Sequence, residues 1–170
     1  MPVQGVTNGA QPVIGFNYGA HQYQRVKKAI QFMSILCIVY TLMVWGILNA
    51  WPKIFIQFFT HEESVQRAAE TSLRIYFFGF FMMAFQFAGQ SVFVALGKSK
   101  QAVFFSLLRK AIIVVPLTIL LPMIGDLRQN GVFLAEPISN FIGGMACFIT
   151  MSIVVGRELK SAQNPKDMTM

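Results

Sequence analysis

The sequence predicts an all-α fold, a polytopic membrane helical bundle of about five transmembrane helices. Three observations carry that expectation. Hydrophobic residues make up 55% of the chain and charged ones 12%, where soluble domains run at about 25% charged. Four long runs with little or no charge reach the ~20 apolar residues that cross a bilayer. The 14 Lys and Arg fall mostly in short connections between these runs. The net charge of +7 therefore reads as membrane topology rather than as a nucleic-acid surface.

The first element, residues 1–20, is uncharged yet polar. Gly5 and Gly9, and again Gly15 and Gly19, are spaced four apart, and small residues at that spacing let helix backbones approach closely in lipid. Gln4, Asn8 and Gln11 step along one face, and Thr7 and Asn17 add further polar groups. Amides are costly in lipid unless they face protein or a water-filled cavity, so this helix is expected to line something polar. Met1-Pro2 runs straight into it without a basic leader. That abrupt start is expected of a chain that begins partway through a longer protein.

The basic connection His21 to Lys28 leads into a second helix over 29–52, with Trp45 and Trp51 toward its far end, where indoles favour the interface. Residues 53–74 carry a short apolar run and then Glu62, Glu63, Arg67 and Glu70 at helical spacing, an interfacial amphipathic element. A third long helix is expected over 72–97, stopping at Gly97 before the Lys98-Ser-Lys100 turn. The next, 101–124, contains Arg109 and Lys110 and is punctuated by Pro116 and Pro122, which kink a spanning helix. Residues 126–131 read as a polar turn. The last helix, 131–156, opens with Glu136-Pro137, and a polar, frayed tail over 157–170 follows. Residues 1–156 thus form one membrane domain.

Basic residues number three, two and three in the first turn, the 98–100 turn and the tail, against three and one in the alternating connections, which also hold four acidic residues. The positive-inside rule then places the C-terminus in the cytoplasm and the N-terminus outside.

Few residues are candidates for chemistry. Glu136 lies six residues past Asn130, about 9 Å into its helix, where a carboxylate must be paired, hydrated or protonated. It reads either as a protonatable, cation-binding group on a cavity or as a carboxylate favoured by the helix start. Asn140 is one turn on, on the same face. Lys110 is expected to snorkel to the inner interface. Arg109, on a different face, becomes the possible buried charge, and counting from opposite membrane sides argues against its pairing with Glu136. Gln86 and Gln90 share one helix face and either line a cavity or bond a neighbouring helix. Phe77, Phe78, Phe80, Phe81, Phe85 and Phe87 ring that helix. Cys37 and Cys147 lie in apolar runs without a metal or redox motif. His21 and His61 sit in connections without a nucleophile or ligand set, and no phosphate-cradling glycine loop is present. No enzyme activity, metal or cofactor is expected.

Gly9-Ala-Gln-Pro-Val-Ile-Gly-Phe-Asn-Tyr-Gly-Ala20, followed by a basic turn, resembles the second helix of the C-terminal lobe of MATE (multidrug and toxic compound extrusion) transporters. Ala95-Leu-Gly-Lys-Ser-Lys100, Ser106-Leu-Leu-Arg109 and Asn130-Gly-Val-Phe-Leu-Ala-Glu-Pro137 resemble later stretches of that lobe, in order, across nearly the whole chain. The resemblance is greatest to the bacterial branch with Ala-Glu-Pro at the start of the final helix. It implies helices eight to twelve of a twelve-helix, two-lobe antiporter in the bacterial inner membrane, exporting small cationic organic compounds in exchange for protons or sodium. Membrane lipid and the missing N-terminal lobe are the implied partners, with no nucleic acid. Helix seven and the N-terminal lobe, where the family keeps a coupling aspartate, lie outside the sequence. Residues 71–97 hold no Asp or Glu, whereas the sodium-coupled branch keeps a carboxylate there. Glu136 is then the carboxylate placed to take part in coupling, and Gln11, Asn17, Gln86, Gln90 and Asn140 are the cavity candidates. Two other readings stay open: a lipid-linked saccharide flippase of related fold, which wants a cationic cavity, and a non-transporting membrane subunit.

Overall fold

The computed structural model describes residues 2–60, 62–124 and 128–163, and every element in them is helical. In chain order these are α1 (Pro2–Gly19), α2 (Tyr23–Ala50), α3 (Pro52–Gln57), α4 (Glu63–Phe77), α5 (Met83–Ala95), α6 (Ser99–Leu107), α7 (Val115–Leu120) and α8 (Arg128–Gln163). A 3₁₀ turn, Phe80–Met82, leads into α5; a π-helical segment, Leu108–Val114, joins α6 to α7; and a second 3₁₀ turn, Leu121–Met123, follows α7. His61, residues 125–127 and residues 164–170 lie outside the described residues, and with them part of the 126–131 turn and of the tail.

Among the described residues four stretches are long and apolar enough to cross a membrane: Tyr23–Ala50, Val65–Ala95, Ser99–Met123 and Asn130–Leu159. The chain is a multi-pass membrane protein. At 18 residues α1 matches a bilayer in length, but its amides and glycines dilute its hydropathy, and it is not among these four. Large apolar side chains such as Phe32, Ile35, Val103, Phe104 and Ile119 are exposed on the bundle surface. In lipid that exposure carries no hydrophobic penalty.

α1, α2, α5 and α8 enclose the core. Ile14, Val26, Met33, Cys37, Ala88, Val92, Phe93, Cys147 and Met151 form one buried cluster. With little hydrophobic force between helices in lipid, close backbone approach has to supply the contact, and the glycines show where it does. A Cβ on Gly89 would sit 2.9 Å from Cys147 Sγ, one on Gly144 2.8 Å from the Met82 carbonyl oxygen, and one on Gly79 2.9 Å from Pro137 Cβ. All three contacts join α8 to the α4–α5 unit. The sequence pointed instead to α1, and there only Gly15 meets a neighbour, the Ala95 carbonyl oxygen at 3.0 Å; Gly5, Gly9 and Gly19 have nothing within 4 Å. The Ser91 hydroxyl donates to the Thr7 carbonyl at 2.9 Å and ties α5 to α1.

Several boundaries differ from the sequence reading. α2 begins at Tyr23, so Arg25, Lys27 and Lys28 occupy its first turns and only residues 20–22 connect it to α1. Charge ends a membrane run without ending a helix, because interfacial water solvates the side chains while the backbone bonds continue. For the same reason α8 starts by Arg128, which makes Asn130 and Gly131 helical rather than a turn, and extends to Gln163. Residues 157–163 are ordered helix rather than frayed tail. Leu159 is buried there, and Glu158 accepts from Tyr18 Oη at 2.6 Å and pairs with Lys98 Nζ at 3.1 Å. Gly97 ends the third run at φ +73, a left-handed conformation that glycine adopts without steric cost.

Candidate functional site

Pro137 lies inside α8, about two and a half turns from its start, and has no N–H for the Phe133 carbonyl, which loosens the helix there. Pro116 does the same to the Ile112 carbonyl, and the seven residues before α7 wind as a π-helix, a form found mostly as local bulges at functional sites. The two irregular stretches pack against each other. The Arg109 stem lies over Gly143, where a Cβ would come 3.0 Å from Arg109 Cγ. The guanidinium is thereby carried into the bundle, and Arg109 is 7% exposed.

There Arg109 Nη1 donates to Glu136 Oε1 at 3.0 Å and also to Asn140 Oδ1. Lys110 Nζ reaches the same carboxylate oxygen at 3.6 Å, with its side chain 58% exposed. The sequence reading held that Arg109 and Glu136 could not pair, and the structure corrects it. Ten residues from Ser99 to Arg109 and six from Asn130 to Glu136 cover about 24 Å of rise in a ~30 Å core. An arginine stem and guanidinium reach across the remainder. Lys110 is corrected too, since it turns to Glu136 instead of snorkelling away. Residues 109 and 110 would stand about 100° apart on an α-helix; the wider π turn narrows that angle and brings both cations to one carboxylate.

Among the described residues the cluster is thus two cations, one carboxylate and one amide. Tyr76 on α4 lies within electrostatic range of both Glu136 and Arg109. Arg109 Nε is buried without a partner. Glu136 thus ties the π segment to α8 through two cations on one carboxylate oxygen.

The remaining candidates are scattered. Gln86 is buried in the α5–α8 contact with its Oε1 unpartnered. Gln90 Nε2 donates to the Ala102 carbonyl on α6 at 3.4 Å, so the two amides share a face but serve different neighbours. Asn17 Nδ2 donates to the Val13 carbonyl of its own helix at 2.7 Å. Gln11 is half-buried, and Gln4 and Asn8 of the same stripe are exposed. Sequence reasoning missed two features, the π segment and the Tyr18–Glu158–Lys98 tie. Pro116 seven residues after Arg109 was the available signal for the first. For the second it was Glu158 between Arg157 and Lys160.

The MatE family model matches residues 1–120. The fold is similar to the inward-facing conformation of a multidrug resistance MATE family transporter of the MOP superfamily, with TM-score 0.86 and 17% identity over 94% of this chain and 37% of that one. It is similar to MATE in the bent conformation, with TM-score 0.89 and 15% identity over 96% of this chain and 36% of that one. It is also similar to the MATE multidrug transporter DinF-BH, with TM-score 0.80 and 29% identity over 92% of this chain and 34% of that one. No curated protein matches the chain. The sequence spans roughly a third of the length of these solved transporters.

Proposed function

Because the chain belongs to the MatE family, we propose that it forms helices eight to twelve of a secondary active antiporter, which exports cationic drugs or other toxic organic compounds in exchange for protons. In this reading it works with an N-terminal lobe and helix seven in a bacterial inner membrane, its C-terminus in the cytoplasm. The exposed Gln4 and Asn8 support a partner there, because amides facing lipid are unfavourable whereas a water-filled cavity between lobes solvates them. Gln11, Asn17, Gln86, Gln90 and Asn140 are the polar groups assigned to that cavity or its walls.

The observation that carries the reading is the carboxylate of Glu136, held by Arg109, Lys110 and Asn140 between two irregular helices. With Glu136 ionised, the π segment and α8 are locked. A proton arriving on Glu136 removes its charge, releases Arg109 and Lys110, and lets the two elements part. Sodium coupling is less favoured, because the cation would meet two resident positive charges.

A second reading draws support from the same cluster. Its formal charge is +1, and Arg109 Nε is buried and unpartnered, which suits an anionic pyrophosphate better than an organic cation. A lipid-linked saccharide flippase of related fold has that need.

The test is proton-gradient-driven efflux of a fluorescent organic cation from cells carrying the chain with its complementary lobe. We expect export by the wild type, loss of export in Glu136→Gln at equal membrane abundance, and none from these 170 residues alone. Unchanged export in Glu136→Gln would move coupling out of this chain. Failure of the wild type to export any cation would favour the flippase.

A further inference from the structure

Arg25, Lys27 and Lys28 stand in the first turns of α2, at the positive end of its helix dipole, with no acidic residue in the first turn. None of the three has an ion-pair partner among the described residues. All three are exposed and leave this end of the bundle positive.

Beside them a groove of about 750 Å³ opens between α2, α5 and α8, within the ~300–1,000 Å³ of small-ligand sites. Its two ends differ in chemistry. Gln24, Lys27 and Gln31 line one end, and Ile38, Phe85 and Phe148 wall the other. Ser34 lines it between them, 6% exposed and with a hydroxyl that has no hydrogen-bond partner. Among the described residues no acidic side chain borders the groove.

Its length identifies the occupant. Its lining along α2 runs from Tyr23 to Ile38, about 22 Å of rise, short of the ~30 Å hydrocarbon core. A groove that stops short of the full core and has a basic end does not match a spanning helix. An organic cation would be repelled at the Lys27 end. We propose that this groove binds one anionic phospholipid from the leaflet on the Lys27 side. The phosphate lies against Lys27, with Arg25 and Lys28 adding field. The glycerol ester oxygens accept from Gln31 and Ser34, and an acyl chain follows Ile38, Phe85 and Phe148. The site is separate from the Arg109–Glu136 cluster and does not depend on what the transporter exports.

The experiment is native mass spectrometry of the full chain extracted from nanodiscs of mixed phosphatidylglycerol and phosphatidylcholine. One retained phosphatidylglycerol per chain is expected, in preference to phosphatidylcholine. Lys27→Gln should weaken that retention about fivefold, the worth of one basic residue at an anionic surface. Gly156→Phe should abolish it. Gly156 lines the groove, and a Cβ there meets nothing within 4 Å, so the substituted side chain starts into open space. Equal retention of both lipids, or unchanged retention in Gly156→Phe, overturns the proposal. So does Ser152→benzoylphenylalanine crosslinking to protein instead of lipid in native membranes, since a polypeptide would then cover the groove.

Discussion

Glu136→Gln leaves a guanidinium that is 7% exposed without its anion, while replacing both partners removes the buried charge altogether. Breaking a buried pair from one side costs about 3–5 kcal/mol, whereas apolar replacement of the whole pair is often neutral. We therefore expect Glu136→Gln to lower stability by several kcal/mol in detergent-based unfolding, and Arg109→Met with Glu136→Met to recover most of it. Equal losses in the single and double variants would show that the pair stabilises no more than its packing. Glu136, Asn140 and Arg109 were each legible in the sequence as polar groups at apolar depth. Their meeting was not, because depth counted along two helices locates Cα atoms and ignores how far a long side chain travels. Lys110 escaped for a related reason, since its direction depends on a π turn that hydrophobic periodicity does not register.

At the scale of elements, apolar runs and Gly97 made the helices legible, but not which glycines join them. A four-residue glycine spacing states that a helix has a smooth face; it does not say what lies against it. The structure leaves the Gly5–Gly9 face of α1 open and closes the α8 contacts at Gly89, Gly144 and Gly79. Gly144→Ala forces a Cβ to 2.8 Å from the Met82 carbonyl oxygen, a backbone atom that cannot swing aside. Overpacking of that kind costs about 1–3 kcal/mol. Gly9→Ala meets nothing and gains helix propensity of up to about 1 kcal/mol. Thermal unfolding of the two variants should move in opposite directions, and a similar loss in both would contradict the assigned interfaces.

The whole molecule divides into a body, where α1, α2, α5 and α8 share one buried cluster to which α6 adds Ala102 and Phe105, and an arm that continues α6 through the π segment and α7. The arm is the least buried of the four candidate spans, at 11% of its apolar window. Its most buried polar tie to α8 is the Arg109–Glu136–Asn140 cluster. The Arg109–Glu136 pair ties the π segment to α8, beside the close approach of Gly131 to the Leu121 and Pro122 backbone. The most direct measurement is the distance between spin labels on Ile112→Cys in the arm and Ile142→Cys in the body, both exposed sites, with and without Glu136→Gln. The native Cys37 and Cys147 are buried and take no label. An ion-paired joint predicts a short distance in the wild type and a lengthened one in Glu136→Gln. A distance in Glu136→Gln that matches the wild type would contradict the account.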